Sequence, residues 1–308
     1  MKKVSVITVN YNQPQVTETM LKSIFRFNKY ANLEIIVVDN GSSTDPTPQW
    51  KLNYPSSITF IRSAINIGFA GGNNLAASVA TGDYLFFVNN DTEFTEGLIE
   101  SLVHILDINP RVGIISPKIK YFDAPDIIQY AGFTEMNYFT CRNKCIGAFE
   151  KDNGQYDHLT GKTGYIHGAA MMIRRSAIDA AGLMSEIFFL YYEEMDWCER
   201  IKSSNYEIWI EPKGLIYHKE SMSVGKKSAL KEYFMNRNRI LFIRRNTTNF
   251  NKWIFYIYFS LIVFPRNILK YYKEKRPDLT SQFMKAIKWN IRNDKNSTIL
   301  GYPIYDIK

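Results

Sequence analysis

Cysteine is scarce in this sequence, with three residues among 308. An odd number of cysteines without paired spacing does not build a disulfide framework, so we expect a protein of a reducing compartment. Cys141 and Cys145 lie four residues apart, but no second Cys or His pair follows at the spacing of a structural zinc site. Disulfide-stabilised secreted domains and zinc modules are therefore disfavoured.

Long apolar runs are also missing. The N-terminal stretch MKKVSVITVNYN is too short and too soon interrupted for a signal peptide, and it predicts a first strand. The aromatic and apolar run at 253–265 has 13 residues, whereas a bilayer-spanning helix needs ~20. We therefore expect no membrane-spanning helix.

Two common nucleotide-binding fingerprints are absent. The stretch GFAGGNN at 68–74 lacks the spacing of GxGxxG and follows the third predicted strand rather than the first, and no P-loop occurs. An NAD-dependent enzyme and an NTPase are therefore disfavoured. A sugar nucleotidyltransferase is disfavoured as well, because the loop VNYNQPQ lacks the glycines and the basic residue expected after the first strand of such an enzyme.

Strand-like and helix-like segments alternate in the first third of the chain. Residues 4–10, 33–39, 58–63 and 84–88 are rich in β-branched and aromatic residues and predict buried strands, with helical patterns between them. This alternation predicts an α/β domain with a mostly parallel sheet.

Polar residues follow the predicted strands at the points where the strands end. They are Asn10, Asp39, Asn40, Asn66, Asn89 and Asp91. In open parallel sheets, ligands bind outside the carboxyl ends of the strands, so these side chains predict a binding crevice. The alternative is ordinary turn chemistry, because Asn, Asp and Gly end many strands.

Four sequence blocks carry a resemblance to a known family. ITVNYN, IIVVDNGSSTD, NIGFAGGNN and LFFVNNDT occur in an order and spacing similar to family 2 glycosyltransferases of GT-A fold. The segment 168–202 resembles the acceptor-side segment of bacterial rhamnosyltransferases and related polysaccharide-assembly enzymes. The resemblance extends over about residues 3–245.

The resemblance implies a domain organisation as well as a fold. A GT-A catalytic domain is expected at 1–225, with a nucleotide-sugar-binding half at about 1–110 and an acceptor-side half at 111–225. Residues 226–308 are expected to form a basic, aromatic, helical C-terminal region.

A nucleotide diphosphate-sugar is the donor that the resemblance implies. Its expected binding residues are Val9, Asn10, Asn12, Asp39, Asn66, Gly68, Gly71, Asn89, Asn90 and Asp91. Asp39 is expected to contact the base or ribose, or alternatively to cap the following turn. Gly68 and Gly71 are expected to let the backbone approach the nucleotide, because glycine has no Cβ.

The expected cofactor is Mg²⁺ or Mn²⁺, held by Asp91. The usual Asp-x-Asp motif of the family is Asn89-Asn90-Asp91 here, which leaves one carboxylate for the cation. His218 lies where several family members place a metal-binding histidine, so it is the expected second ligand. The alternative is a purely structural histidine.

A group of carboxylates at 193–196 is the expected catalytic base. Glu193-Glu194 replaces the usual Glu-Asp pair, and alignment on the downstream WCER places Glu194 at the position of the base. Glu193 and Asp196 are expected to support it, Asp196 by orienting an acceptor or Arg200. Crowded carboxylates raise one another's proton affinity, which suits a base near neutral pH. The alternative is that these residues only offset a helix dipole.

Acidic residues are scarce in the C-terminal region. Residues 226–308 contain 18 Lys and Arg but 5 Asp and Glu, whereas the remaining chain has a net charge of −5. This asymmetry indicates an anionic partner, and the aromatic run at 253–265 favours an anionic membrane surface. Nucleic acid is disfavoured because no recognition module occurs. The alternatives are a helix docked on the catalytic domain or a homodimer contact.

These features together predict an inverting glycosyltransferase of bacterial surface polysaccharide assembly, such as O-antigen or capsule. The expected donor is dTDP-L-rhamnose, with UDP-hexoses or UDP-galactofuranose as alternatives. The expected acceptor is a saccharide or lipid-linked saccharide, and the expected location is cytoplasmic, peripheral on the inner face of the membrane. A GT-A-like binding protein without activity is the alternative from another class.

Overall fold

The computed structural model describes residues 1–219 and 228–303. Its strands are β1 (Val4–Asn10), β2 (Leu33–Asn40), β3 (Ile58–Ser63), β4 (Tyr84–Val88), β5 (Thr92–Phe94), β6 (Val112–Tyr121), β7 (Ile128–Tyr130), β8 (Gly161–Lys162), β9 (Ala170–Arg174) and β10 (Glu207–His218). Its helices are α1 (Pro14–Phe27), α2 (Thr47–Asn53), α3 (Gly68–Ala77), α4 (Leu98–Ile108), α5 (Arg175–Ala181), α6 (Glu193–Ser203), α7 (Ala229–Asn246), α8 (Asn249–Tyr258), α9 (Phe264–Lys273) and α10 (Pro277–Arg292). The boundary expected at 225/226 lies outside the described residues.

One sheet organises the structure, with strand order β3-β2-β1-β4-β9-β6-β10-β5, and with β7 on β6 and β8 on β10. Strands β3, β2, β1 and β4 are parallel, and so are β6 and β10, while β9 runs antiparallel between β4 and β6. The carboxyl ends of β1, β2, β4 and β10 therefore meet at one edge of the sheet. This architecture confirms the predicted α/β fold with a mostly parallel sheet.

Strand β4 shows why its sequence is apolar throughout. Successive side chains of a strand point to opposite faces, and helices cover both faces of this sheet. Phe87 packs on one face against Trp197 of α6, with ring centroids 5.5 Å apart. Phe86 packs on the other face against Phe94, at 5.8 Å. Both layers must be apolar, so no alternation of polar residues appears in β4.

The C-terminal helices pack on the catalytic body. Leu241 of α7, Phe255 of α8 and Phe283 of α10 are buried in the same hydrophobic cluster as Phe87 and Trp197. This packing is one of the alternatives that the sequence left open for residues 226–308. In the described part of the chain, no helix combines the length and the apolar character needed to cross a membrane.

Candidate active site

A cavity of about 450 Å³ lies at the sheet edge where β1, β2, β4 and β10 end. Several residues predicted from the sequence line it, namely Val9, Asn66, Gly68, Asn89, Asn90, Asp91, Glu193, Glu194 and His218. Asn10, Asn12, Asp39, Gly71 and Asp196 are not part of its wall. The structure therefore brings the expected metal ligands and the expected base to one cavity.

Asp39 does not reach the cavity, contrary to the expectation that it contacts base or ribose. Its side chain is fully buried and accepts hydrogen bonds from Asn10 Nδ2, at 2.8 Å, and from the Ser42 hydroxyl. The backbone N–H of Ser42 also donates to Asp39 Oδ2, at 3.3 Å. Asp39 thus caps the turn after β2, which is the alternative role, and Asn40 lines the cavity instead.

Asn10 and Asn12 are likewise engaged within the protein. Asn10 Oδ1 accepts a hydrogen bond from Thr17 at 2.9 Å, and the Thr17 hydroxyl accepts one from Asn90 Nδ2 at 3.0 Å. Asn12 Oδ1 accepts from the backbone N–H of Ser43, at 2.8 Å. These two asparagines brace the loops around the cavity and do not face its interior.

The glycines of the third loop serve packing within the protein. Gly68 has φ +79°, and a Cβ there would lie 2.5 Å from the carbonyl oxygen of Phe189. A Cβ on Gly71 would meet the side chain of Ile67 at 3.0 Å. The close approaches that require glycine within the protein are therefore to Phe189 and Ile67, while Gly68 also lines the cavity.

Asp91 and His218 lie side by side on the cavity wall. His218 Nε2 is 3.2 Å from Asp91 Oδ1, and both side chains are more than nine-tenths buried. His218 Nδ1 lies 2.8 Å from Gln129 Oε1, and an amide oxygen only accepts, so Nδ1 carries a proton and donates to Gln129. This hydrogen bond directs Nε2 toward Asp91 Oδ1.

This pair fits a divalent cation. Asp91 Oδ1 is buried and accepts no hydrogen bond from any residue that the structure describes. A carboxylate oxygen and an imidazole nitrogen oriented by a further hydrogen bond are ordinary ligands of Mn²⁺ and acceptable ones for Mg²⁺. Within residues 1–219 and 228–303, no group of three His, Cys, Asp or Glu side chains is placed to hold a metal. The diphosphate and water would have to supply the remaining ligands.

His167 stands next to this pair and was not singled out in the sequence. Its ring centroid lies 5.9 Å from that of His218 and 6.4 Å from that of Phe133, with which it is stacked. Burial, together with the nearby His218, lowers the pKa of His167 to about 3, so the imidazole is neutral. Its Nδ1 accepts from the backbone N–H of Ala169, at 3.1 Å, so its proton is on Nε2.

Glu193 and Glu194 begin helix α6 and line the same cavity. Burial raises the pKa of Glu194 to about 7. Burial and the adjacent Glu194 raise the pKa of Glu193 well above its usual range. The Oε2 atoms of both residues are buried and have no hydrogen-bond donor among the described residues. The two adjacent carboxyls therefore titrate as a pair that keeps a proton to higher pH than isolated glutamates, which suits a base near neutral pH.

Asp196 has a structural role, and the structure does not place it with Glu193 and Glu194. One oxygen accepts from Arg200 Nε at 2.9 Å, which agrees with the expected pairing to Arg200. The other accepts from Arg245 Nε at 3.1 Å and from Asn246 Nδ2 at 2.9 Å. Asp196 therefore ties α6 to the end of α7 and is removed from the set of candidate catalytic residues.

Helix α7 contributes to the cavity in a way that the sequence did not indicate. Leu230 and Lys231 line it, and the Lys231 ammonium lies 5.7 Å from the ring centroid of Tyr191. The composition of the sequence assigned Leu230 and Lys231 to the basic C-terminal region and to no site. No local pattern distinguishes a cavity lysine from a surface lysine, so this contribution became visible only in the fold.

The model of the family described as Glycosyl transferase family 2 matches residues 5–182, more than half of the chain. The chain belongs to this family. The matched region includes Asp91 but ends before Glu193, Glu194 and His218. In this family 2 glycosyltransferase, the evidence that Glu193 and Glu194 belong to the site therefore comes from the structure and not from the family match.

Two characterised relatives resemble this glycosyltransferase over most of its length. The low-salt glycan biosynthesis hexosyltransferase Agl10 of Haloferax volcanii is 28% identical, over 77% of this chain and 74% of its own. The N-acetylglucosaminyl-diphospho-decaprenol L-rhamnosyltransferase of Mycobacterium tuberculosis is 22% identical, over 73% of this chain and 78% of its own. By contrast, the chain spans 27% of the uncharacterized protein y4gI of Sinorhizobium fredii.

The fold comparison agrees with GT-A type. The mannosyltransferase PcManGT of Pyrobaculum calidifontis, solved with GDP-Man and Mn²⁺, superposes with a TM-score of 0.56 at 16% identity. The superposition covers 95% of this chain and 76% of the mannosyltransferase. At this identity the likeness establishes the fold alone.

Proposed function

We propose that this family 2 glycosyltransferase transfers a sugar with inversion, using Glu194 as the general base. The observation that carries the proposal is the placement of the Glu193–Glu194 pair and the Asp91–His218 pair on one cavity. Glu194 accepts the proton of an acceptor hydroxyl, whose oxygen bonds to the anomeric carbon from the face opposite the diphosphate. The bond from the anomeric carbon to the diphosphate breaks, and its electron pair leaves with the nucleoside diphosphate.

Asp91 Oδ1 and His218 Nε2 would hold Mg²⁺ or Mn²⁺, with Gln129 fixing the imidazole. When bound, the cation supplies positive charge that stabilises the diphosphate leaving group. Lys231 adds a further positive charge to the cavity wall. Neutral His167 contributes a hydrogen-bond donor without adding charge.

The proposed donor is dTDP-L-rhamnose. One relative is named a rhamnosyltransferase, and the cavity wall includes apolar side chains, namely Phe69, Phe133, Phe189, Leu190 and Leu230. Rhamnose has a methyl group where a hexose has a hydroxymethyl group, so an apolar wall favours it. UDP-hexoses and UDP-galactofuranose are the alternative donors, because another relative is named a hexosyltransferase.

A thermal-shift panel tests the donor. With Mn²⁺ present, dTDP-rhamnose should raise the midpoint of unfolding more than dTDP, UDP-glucose, UDP-galactofuranose or GDP-mannose at the same concentration, because a ligand that binds more tightly stabilises the folded state more. The same panel with EDTA is the control for cation dependence. A larger shift with a UDP-hexose would transfer the assignment to that donor, and no shift with any nucleotide sugar would favour a binding protein without activity.

The proposed acceptor is a saccharide linked to a polyprenyl diphosphate, presented at an anionic membrane surface. Residues 249–273 form one continuous helical segment, through α8, a π-helical turn and α9, and contain no Asp or Glu. Phe255 and Phe259 pack into the core from one side of this segment. Trp253, Leu261 and Tyr272 are 68%, 69% and 82% exposed.

The exposed side of this segment suits the interface of an anionic bilayer. Its exposed apolar side chains are Phe250, Trp253, Ile257, Leu261, Ile262, Leu269 and Tyr272. Exposed Arg266, Lys270 and Lys273 accompany them. Aromatic and aliphatic groups enter the acyl boundary while basic groups meet the headgroups, so such a helix lies in the plane of the membrane.

Replacing Trp253, Ile257 and Leu261 together by serine should weaken binding to vesicles of phosphatidylglycerol and phosphatidylcholine at least ~tenfold, because less apolar surface leaves water. Leu52→Ser with Ile108→Ser, on the exposed surfaces of α2 and α4, is the matched control. Replacing Arg266, Lys270 and Lys273 by glutamine should instead flatten the salt dependence of binding. Sedimentation with vesicles measures each case.

Equal sedimentation of the serine variant and the wild type would contradict a membrane role. Light scattering on the same proteins tests the remaining alternative, which is a homodimer contact. A wild-type dimer that becomes a monomer in the serine variant would identify this face as a contact between two copies of the chain.

A further inference from the structure

The segment that leads into Glu193 and Glu194 has a strained backbone. Phe189, Tyr191 and Tyr192 have φ of +62°, +70° and +73°, although none is glycine. Phe189 has ψ −55°, and the N–H of Leu190 donates to the carbonyl of Phe188 at 2.6 Å, which is the tight γ-turn geometry. Bulky residues keep such conformations only where the surroundings impose them.

The surroundings bind every carbonyl of this segment. Asn238 Nδ2, on α7, shares its two hydrogens among the carbonyls of Phe188, Leu190 and Tyr191, at 2.8, 2.8 and 2.7 Å. Arg237 Nη2 donates to the carbonyl of Ile187 at 2.6 Å. The remaining carbonyl, that of Phe189, accepts from the N–H of Phe69 at 2.7 Å. Five consecutive carbonyls are thus held, four of them by two adjacent residues of α7.

Arg237 in turn holds the amide of Asn238. Its Nη1 donates to Asn238 Oδ1 at 2.7 Å, so the amide orientation is set by a charged donor. Both side chains are fully buried. Arg237 forms no ion pair within the described residues, and its guanidinium lies 4.3 Å from the ring centroid of Trp289. Burial lowers the pKa of Arg237 to about 10, which leaves it charged at neutral pH.

We propose that Asn238, oriented by Arg237, is a positioning residue for the catalytic base. It fixes residues 188–191 in the strained conformation that directs Glu193 and Glu194 toward the cavity. The proposal rests on the proposed function, in which Glu194 is the base. Asn238 makes no hydrogen bond to Asp91, His218 or Asn66. Its removal should therefore disturb the base, together with the adjoining wall at Phe189 and Leu190, and spare the Asp91–His218 pair.

Asn238→Leu tests this role, because leucine matches asparagine in size but donates no hydrogen bond. The kcat for release of nucleoside diphosphate from the donor should fall ~tenfold or more, the effect of a small misplacement of a catalytic group. The dissociation constant of dTDP with Mn²⁺ should change less than ~3-fold, because Asn238 makes no contact with the Asp91–His218 pair and distant sites contribute independently. If the leucine variant shows no cooperative thermal unfolding, and so has not folded, Asn238→Ser provides the same comparison.

Asn236→Leu is the matched control. Asn236 is also a buried asparagine of α7, but its amide donates only within the helix, to the carbonyl and carboxylate of Glu232. The Asn236→Leu variant should have a lower thermal stability than the wild type and an unchanged kcat. Equal losses of kcat in the two variants, or an equal loss of dTDP affinity and kcat in Asn238→Leu, would overturn the inference.

A double variant separates this inference from the proposed function. If Asn238 acts through Glu194, Glu194→Gln with Asn238→Leu should be no slower than Glu194→Gln alone. Losses that multiply would show that Asn238 acts elsewhere and would overturn the inference. Wild-type turnover in Glu194→Gln would instead overturn the assignment of the base, and a slow Asn238→Leu would then mean that the segment positions another group.

Discussion

Replacing Glu194 by glutamine should lower the rate of sugar transfer ~10²-fold or more while leaving donor affinity unchanged, because only the basic carboxylate is lost. Wild-type transfer should rise with pH and level off near the pKa of Glu194, which burial raises to about 7. Below this pH the carboxyl is protonated and accepts no proton from the acceptor. In Glu194→Gln this acid limb should disappear along with most of the rate.

Glu193→Gln is the matched control at the adjacent position. Burial and Glu194 raise the pKa of Glu193 well above its usual range, which favours its neutral carboxyl. A neutral amide should therefore leave the acid limb near pH 7, with a small change in rate. A slow Glu193→Gln variant beside an unaffected Glu194→Gln variant would show that the two roles are exchanged.

Stability gives a second readout that needs no substrate. The pKa of Glu194 rises from 4.5 in the unfolded chain to about 7 in the fold, so the folded protein holds a proton that the unfolded chain releases between these values. Glu193, whose pKa burial also raises, adds a loss of its own. The part due to Glu194 should lower the free energy of unfolding by up to about 3 kcal/mol from pH 4.5 to 7. Glu194→Gln lacks this loss and should be the more stable protein above pH 7, as denaturant titrations at both pH values would show.

Removing the Asp91 carboxylate should abolish the effect of divalent cations on nucleotide binding. We expect Mn²⁺ to tighten binding of dTDP or UDP at least ~tenfold in the wild type, because the cation neutralises the diphosphate beside a buried carboxylate. Asp91→Asn should bind both nucleotides equally with Mn²⁺ and with EDTA. Isothermal titration measures the four combinations, and a cation-independent wild type would remove the metal from the mechanism.

The histidine of the pair and its hydrogen-bond partner refine this test. His218→Ala should lose most of the gain from Mn²⁺, whereas His104→Ala, at an exposed position of α4, should lose none. Gln129→Leu should weaken the binding of Mn²⁺ by ~10-fold or more, because the substitution removes the hydrogen bond that orients the His218 imidazole. A Gln129→Leu variant with wild-type affinity for Mn²⁺ would mean that His218 is held in place by packing alone.

The sequence alone indicated the fold and the paired residues that the proposed mechanism uses. Buried strands such as β4 are apolar on both faces, and this local pattern is enough to predict a covered, mostly parallel sheet. Asp91, Glu193, Glu194 and His218 are ionisable groups at the ends or starts of such elements. The chain order of the motifs, together with the resemblance they carry, was sufficient to select these four residues.

The register of β1 on β2 decides which residues at the ends of these strands face the cavity. Asn10 lies level with Asp39 across the β1–β2 ladder, so both point to the same face of the sheet. Successive residues of a strand alternate, so Val9 and Asn40 face the cavity while Asn10 and Asp39 do not. A sequence places all four at strand ends equally well. Only the pairing of the strands distinguishes them.

The role of residues 226–308 was decided by tertiary contacts. Composition predicted a basic, aromatic extension, and the exposed side of residues 249–273 agrees with that pattern. The same composition contains no sign that Asn238 binds carbonyls about 50 residues earlier in the chain, or that Lys231 lines the cavity. Such contacts depend on how α7 packs against α6. Long-range packing, unlike strand and helix periodicity, leaves no local pattern in a single sequence.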